Sequence, residues 1–509
     1  MRLGSIYITV LAALLYGCSL PALEDRSASH ILSQEEVLQT RLGKTIQGLR
    51  QDSGMDSGVH VLSDAQDAFA ARVFLTRLAD KTLDVQYYIW RDDITGMLLL
   101  DELYQAAERG VRVRLLLDDN GIRRLDDVLA EMNAHPNLEV RLFNPFASRR
   151  FKFLGFITDF SRANRRMHNK SFTADQQATI VGGRNIGDEY FAAKDGLLFA
   201  DLDVMVAGPA AWQVSEDFDR YWASESAWPV NAVFEQKASA LGLHQRADRI
   251  AALPEAQRYV EALENSGFIQ TLLAGDLAIE WVPIRLVSDN PAKGLGQLEE
   301  SELMIFSLAK LLGIPEKSLD LVSPYFVPTK SGVQVFSLLA RQGIRVRILT
   351  NALEATDVAA VHSGYAKRRK ALLEAGVELY EMRGYQDQPE EGKAGLFGSS
   401  SSSLHAKTFS VDNQRIFVGS FNFDPRSAML NTELGFVIKS SNMAQEMDRI
   451  FTDRILQAAY QVRLDEQGKL YWLEQNGEQQ IHHHTEPNTS WWLRAKVRVL
   501  SWLPIEWLL

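Results

Sequence analysis

A short pattern occurs twice in this chain: His168-Asn-Lys170 leading to Asp175, and His405-Ala-Lys407 leading to Asp412. Around each copy the match continues without a gap, HNKSFTADQQATIVGGRNIGDEYF (168–191) against HAKTFSVDNQRIFVGSFNFDPRSA (405–428). It runs through Phe172/Phe409, Val181/Val418, Gly182/Gly419 and Asn185/Asn422. One His/Lys/Asp coincidence can arise by chance in a long chain, but two that share a Val-Gly-x-x-Asn tail are a duplication. The chain is therefore expected to fold as two like halves that build one site together.

The repeat also reaches upstream. LDVQYYIW (83–90) matches LDLVSPYF (319–326), and both read as buried strands from their β-branched and aromatic content. A helical stretch follows in each half, then a glycine stop and a strand in ERGVRVRLLLDD (108–119) and RQGIRVRILTNA (341–352). NLEVRLFNPF (137–146) and AGVELYEMRGY (375–385) add a third strand-like run. Each half reads strand, helix, strand, helix, strand and then the His-x-Lys hairpin. That alternation implies an α/β class, with a mixed sheet flanked by helices in each of two domains. The expected organisation is a signal segment at 1–18, an N-terminal linker or helix at 19–60 and a first domain at 61–230. A helical linker at 231–275, a second domain at 276–460 and an aromatic, basic tail at 461–509 follow. The polar, Gly/Ser-rich stretch 386–403 reads as a loop that ends just before His405, either a lid or a plain connection.

With 509 residues and 46% hydrophobic content, the chain can fill sizeable cores. Its formal net charge of -11 argues against generic duplex binding, which needs a concentrated basic surface. The sole cysteine, Cys18, leaves no intrachain disulfide and no Cys-rich metal site. It follows Arg2 and an apolar run from Ile6 to Leu15, and Leu15-Tyr-Gly-Cys18 looks like a bacterial lipoprotein signal in which Cys18 is lipidated. The alternatives are an ordinary cleaved signal and a short uncleaved anchor. The run is too short for a comfortable bilayer span. A lipidated Cys18 predicts a protein of the cell envelope, anchored in a membrane and facing the periplasm, with Ser19 resembling the outer-membrane sorting choice.

On a strand, positions two apart share a face, so His168 with Lys170 and His405 with Lys407 are expected to point the same way. Two histidines and two lysines converging from two halves fit in-line displacement at phosphorus. The lysines would neutralise phosphate oxygens, one His would attack, and the other would protonate the leaving alcohol. This chemistry calls for no metal and no cofactor, and His482 to His484 read as a solvated tract. Asp175 and Asp412 fall beyond the strands that carry the histidines and are expected to hold the hairpins. A catalytic imidazole also needs a group to fix its tautomer. Glu433 in NTELGFVI is the candidate partner for His405, and Asp201 of FADLDVMVAG occupies the matching position for the first half, with Asp203 an alternative.

At these residues the sequence resembles the phospholipase D superfamily, whose signature is the paired His-x-Lys-x4-Asp motif; the likeness covers roughly 60–460. The resemblance implies two similar domains with the active site at their interface, and a phosphohistidine intermediate. It implies a catalytic set of His168, Lys170, Asp175, His405, Lys407 and Asp412. By analogy His168 is the nucleophile and His405 the acid/base, an order that could be reversed. Asn185 and Asn422 would hold the phosphate, with Gly183 and Ser420 close by.

The family cleaves lipids and nucleic acids alike, and three features lean towards lipid. The segment 143–170 sets six phenylalanines among Arg149, Arg150, Lys152, Arg162, Arg165 and Arg166, directly ahead of His168. An apolar wall with basic head-group contacts suits an anionic lipid at a membrane, though the same pattern is open to a core helix or to base stacking. The tail SWWLRAKVRVLSWLPIEWLL (490–509) carries four of the ten tryptophans and reads as a membrane-surface element or as a docked helix. A lipid anchor is the third feature. The chain also resembles bacterial cardiolipin synthases of the C type, including ATDVAAVHSGYAKRRKALLEAGVELYE (355–381) and the PIEWLL ending. That resemblance implies phosphatidyl transfer to a second lipid, with His362, Tyr365, Lys367 and Arg368 either on the acceptor side or simply on a helix face. A hydrolytic phospholipase D and an envelope nuclease are the alternatives. The expected partners are phospholipids and a membrane surface, with no nucleic acid and no obligate protein partner.

Overall fold

The computed structural model describes residues 20–23, 26–50, 54, 56–149, 151–193, 198–234, 242–384 and 402–509. Cys18, Arg150 and positions 386–401 of the Gly/Ser-rich loop lie outside these. The strands of the first half are β1 Ser57–Leu62, β2 Thr82–Tyr87, β3 Arg112–Asp118, β4 Leu138–Phe143, β5 Ser171–Ala174, β6 Ala178–Gly182, β7 Leu198–Ala200, β8 Asp203–Ala207, β9 Ala227–Pro229 and β10 Glu280–Val282. Those of the second are β11 Ile284–Ser288, β12 Ser318–Val322, β13 Arg345–Asn351, β14 Glu378–Met382, β15 Ser402–Leu404, β16 Thr408–Val411, β17 Arg415–Gly419, β18 Leu434–Ile438, β19 Ala459–Leu464, β20 Leu470–Asn476 and β21 Gln479–His483.

They form two large mixed sheets and a two-stranded one made of β7 and β15. The order β1-β8-β6-β5-β2-β3-β4-β9 in the first is repeated, strand for strand, by β11-β18-β17-β16-β12-β13-β14-β19 in the second. The duplication read from the sequence is thus a duplication of topology. In each half the first three strands of the sequence reading (β2-β3-β4 and β12-β13-β14) run parallel, while the hairpin strand (β5 or β16) joins antiparallel. The central strand β2 is buried at every position, its polar Asp84 and Gln86 included, and Asp84 is held by Arg114 at 2.7 Å. Gly110 and Gly343 end the helices Ile94–Glu108 and Thr329–Arg341 in left-handed conformations, with φ of 91° and 85°, as the expected helix stops require.

The halves share a core. Val181, Val204 and Val206 of the first sheet pack in one apolar cluster with Ile416, Val418 and Phe436 of the second. Two backbone ladders also cross between the halves. Strand β7 pairs in parallel with β15, and Met167 forms an isolated bridge with Thr432.

Several boundaries differ from the sequence reading. Strand β1 runs across the expected boundary at 60, and β19 across the one at 460, with β20 and β21 extending the second sheet into the supposed tail. The expected linker is a helical layer on the first domain. Its helices Leu243–Ala251, Pro254–Glu264 and Gly267–Ala274 insert Leu243, Ala256, Tyr259 and Phe268 into that core. Ser402 and Ser403, assigned to the loop, belong to β15. Among the described residues no helix is long and apolar enough to cross a membrane.

The terminal helix Trp491–Trp502 packs on the helix Ala359–Ala366, and this corrects the expected acceptor residues. Buried His362 faces Glu486 together with Arg369, while Lys367 and Arg368 pair with Glu506. Tyr365 is buried against Phe326 and the Arg369 guanidinium. These side chains dock the C-terminal segment and do not line the cavity described below.

Candidate active site

The two His-x-Lys segments are extended connectors that lie just ahead of β5 and β16, not on the strands as expected. What fixes them is the opposite half. The His168 backbone N–H donates to the Thr432 carbonyl at 2.9 Å, and the His405 N–H donates to the Ala200 carbonyl at 2.7 Å. Thr432 and Ala200 are the residues immediately before Glu433 and Asp201. The inter-half ladder therefore brings each imidazole against the carboxylate of the other half.

His168 Nδ1 lies 2.9 Å from Glu433 Oε2, and His405 Nδ1 lies 2.5 Å from Asp201 Oδ2. This crossing reverses the expected pairing within each half. A carboxylate facing Nδ1 places the proton there, which leaves Nε2 as the reactive nitrogen. Asp203, the alternative orienting residue, is taken by Arg72 at 2.8 Å and by the Arg184 N–H at 3.2 Å.

The residues expected around the phosphate support these carboxylates instead. A Cβ on Gly183 would stand 2.1 Å from Asp201 Oδ1, so only glycine lets that carboxylate in. At the equivalent position in the second half, Ser420 donates its hydroxyl to Glu433 Oε2 at 2.5 Å. The N–H groups of Gly183 and Ser420 go to the carbonyls of Leu202 and Leu434 and are not free to bind phosphate. Asn185 lines the cavity, with its carbonyl oxygen on the Ile89 N–H and its amide on the Tyr190 hydroxyl, both at 3.1 Å. Asn422 is buried and is absent from the cavity wall.

Asp175 and Asp412 do not reach the reacting centre. Each starts a tight turn in which two successive residues have positive φ: 48° and 58° at Asp175 and Gln176, 56° and 56° at Asp412 and Asn413. The Asp175 carboxylate accepts the N–H groups of Asp80, Lys81 and Thr82, and that of Asp412 accepts those of Glu316, Lys317 and Ser318. They fasten each hairpin to the start of the neighbouring strand, which is the holding role and not the catalytic one.

Lys170 and Lys407 are buried one layer behind the histidines. Lys170 Nζ donates to the His168 carbonyl at 2.6 Å, and Lys407 makes the same contact with His405. Burial, the attraction of nearby carboxylates notwithstanding, pulls the Lys170 ammonium down to about 7 and that of Lys407 to about 8. Burial and the adjacent lysines depress both imidazoles, His168 well below the ordinary value. The carboxylates then differ. Burial pushes Glu433 up to about 7 against the pull of Lys170, whereas at Asp201 the His405 and Lys407 charges outweigh burial and hold the carboxyl below its usual range. The carboxyl before His168 is thus the more readily protonated of the two, and the one before His405 the firmer anion.

Both histidines line a cavity of about 730 Å³. Apart from Asn185, sequence reasoning missed the rest of its wall. Tyr88 meets the His168 ring edge-on at 5.1 Å and Tyr190 meets His405 at 5.3 Å. Tyr325 donates its hydroxyl to Asp357 at 2.8 Å, and Arg91, Arg123 and Arg124 complete the mouth. Tyr190 could have been found from its place in the motif tail; the arginines carry no pattern. Among the described residues no group of His, Cys, Asp and Glu side chains could hold a metal ion.

A family described as "Cardiolipin synthase, PLD-like domain" matches the chain twice, over residues 75–222 and 308–455. The chain is 48% identical over 477 residues to Cardiolipin synthase C of Escherichia coli, spanning 92% of this chain and 100% of that protein. It is 25% identical over 405 residues to a cardiolipin synthase of Staphylococcus aureus, with 78% and 67% of the two chains covered. Among solved structures, the phosphatidylserine synthase of Haemophilus influenzae aligns over 90% of this chain and 96% of its own, at 14% identity and a TM-score of 0.54. That likeness is one of fold.

Proposed function

The chain belongs to the phospholipase D-like cardiolipin synthase family, and from that premise we propose that it is a phosphatidyltransferase that joins two glycerophospholipids into cardiolipin. The observation that carries the reading is the crossed pairing, which engages Nδ1 of His168 and of His405 with a carboxylate of the other half and sets both residues in the wall of one cavity. His168 attacks the donor phosphorus as a neutral imidazole, a form its depressed pKa favours. His405, held beside the Asp201 anion, gives its proton to the departing glycerol oxygen as that P–O bond breaks and the N–P bond forms. In the return step His405 takes the proton of the acceptor hydroxyl, whose oxygen displaces His168 and restores the free imidazole. The lysine charges behind the rings offset the negative charge that builds on the phosphoryl oxygens.

Two exposed apolar surfaces support a membrane as the source of both lipids. Phe151, Phe153, Phe156, Ile157 and Phe160 stand out on one segment, and Trp491, Trp492, Trp502 and Trp507 on the tail. Arg426 joins the two, contacting Asn164 and the backbone at Leu509. Three of the basic residues expected to meet head groups are already paired within the protein. Arg149 and Lys152 pair with Asp119, and Arg162 with Asp159. Anchoring through a lipidated Cys18 on the periplasmic side of the cell envelope completes the proposal.

Purified protein mixed with phosphatidylglycerol vesicles tests the reading. Cardiolipin and free glycerol are expected, and neither from His168→Ala or His405→Ala. Phosphatidic acid as the sole product would make water the acceptor and replace transfer by hydrolysis.

A further inference from the structure

Among the described residues seven charged side chains line the cavity, and most already have partners. Arg91 pairs with Glu189 at 3.1 Å, Asp92 with Arg246 at 3.1 Å, and Asp357 accepts the Tyr325 hydroxyl. Asp93 caps the helix Ile94–Glu108 through the Gly96 N–H and also accepts the Asp188 N–H. Arg123 and Arg124 are exposed and have no hydrogen-bond or ion-pair partner among the described residues. They are consecutive in the chain, and Arg124 holds a left-handed backbone with φ of 62°, a conformation uncommon for a non-glycine residue. Strain of this kind persists where the surrounding structure imposes it and clusters at binding sites.

The loop that carries them is braced from the apolar segment. Lys152 Nζ donates to the carbonyls of Asp119 and Ile122 at 2.6 Å and 3.1 Å, directly before Arg123. A ligand with its acyl chains on Phe151, Phe153 and Ile157 would thus carry its head group past the two arginines on the way to the histidines. Two free guanidiniums in a row fit a phosphodiester anion, which accepts paired N–H donors.

We infer that Arg123 and Arg124 form the seat for the phosphate of the acceptor lipid, one glycerol away from the phosphorus that reacts at His168. This rests on the transferase reading above and deepens it. The seat selects an acceptor that is itself an anionic glycerophospholipid over a phosphate-free alcohol. It also positions the acceptor's terminal hydroxyl by holding the other end of the head group.

The full chain in phosphatidylglycerol vesicles containing labelled glycerol gives two products from one donor. Cardiolipin reports an acceptor that carries phosphate, and labelled phosphatidylglycerol reports exchange with one that does not. For the R123Q/R124Q double variant, the ratio of cardiolipin to exchange product is expected to fall roughly ten- to hundredfold, the scale of a lost charge-assisted contact. R123K/R124K, which keeps the charges, is expected to recover much of the ratio. An unchanged ratio in the Gln variant, or a proportional fall in both products, overturns the seat while leaving the transferase reading intact. Absence of both products from the parent protein would instead overturn the transferase reading, and the seat with it.

Discussion

Asp201 lies in the first half of the chain and, in this fold, serves the histidine of the second. Replacing it with Asn keeps the shape and removes the charge. The carboxylate is fully buried and lies 2.5 Å from His405 Nδ1. Removing one partner of a buried, hydrogen-bonded charge pair costs about 3–5 kcal/mol. Where that loss falls on the transition state, it corresponds to roughly 10²- to 10⁴-fold in rate. Asp201→Asn is therefore expected to reduce cardiolipin formation by that factor. Histidine-labelled protein observed by ¹⁵N NMR localises the effect. Because Asp201 raises the His405 pKa, its loss should lower that pKa further and free the ring to change tautomer, while the His168 signals stay where they are. A perturbation confined to His168, or a rate loss below about tenfold, would refute the crossed pairing.

Three other outcomes follow from the same geometry. The acid His405, depressed below the ordinary imidazole value, and the buried ammonium groups of Lys170 and Lys407, lost as pH rises through about 7 and about 8, all give up their protons on the basic side, so kcat/KM should already be falling at neutrality; a basic limb close to the ordinary lysine value would contradict this. Its acid limb should lie below the usual imidazole range, because His168 stays neutral there. Asp412→Ala removes an acceptor that holds three backbone N–H groups, at about 1.5–3 kcal/mol for each bond to a charged group as an upper scale, and should lower Tm by several degrees while the folded fraction keeps most of its kcat. Serine in place of Phe153, Ile157 or Trp502, which are 60%, 73% and 75% exposed, should weaken binding to lipid vesicles in sedimentation by roughly tenfold each without lowering Tm.

The central strands were legible because their β-branched and aromatic residues stand out even with polar ones between them, as in LDVQYY, and because the chain repeats that run at the same place in each half. The histidines and the two carboxylates were legible as residue types in a duplicated pattern. Their partnership was not. Sequence offset within a half says where Glu433 lies relative to His405, but the contact is set by the Thr432–His168 and Ala200–His405 backbone bonds, which join distant parts of the chain. Gly183 and Ser420 were located and given the wrong neighbour for a similar reason: each touches a carboxylate that approaches from the following strand. Arg149 and Lys152 looked like part of a head-group surface because their acidic partners, Asp119 and Asp126, lie earlier in the chain. Arg123 and Arg124 had no apolar periodicity or spacing to mark them, and only the cavity sets them apart.

Lipid mass spectrometry of cells that lack their own cardiolipin, expressing the parent chain, His168→Ala or His405→Ala, tests the central claim most directly. Two histidines that serve one transfer reaction predict cardiolipin with the parent and none with either variant at equal protein levels. Cardiolipin from a variant in the parent's amount would contradict the mechanism.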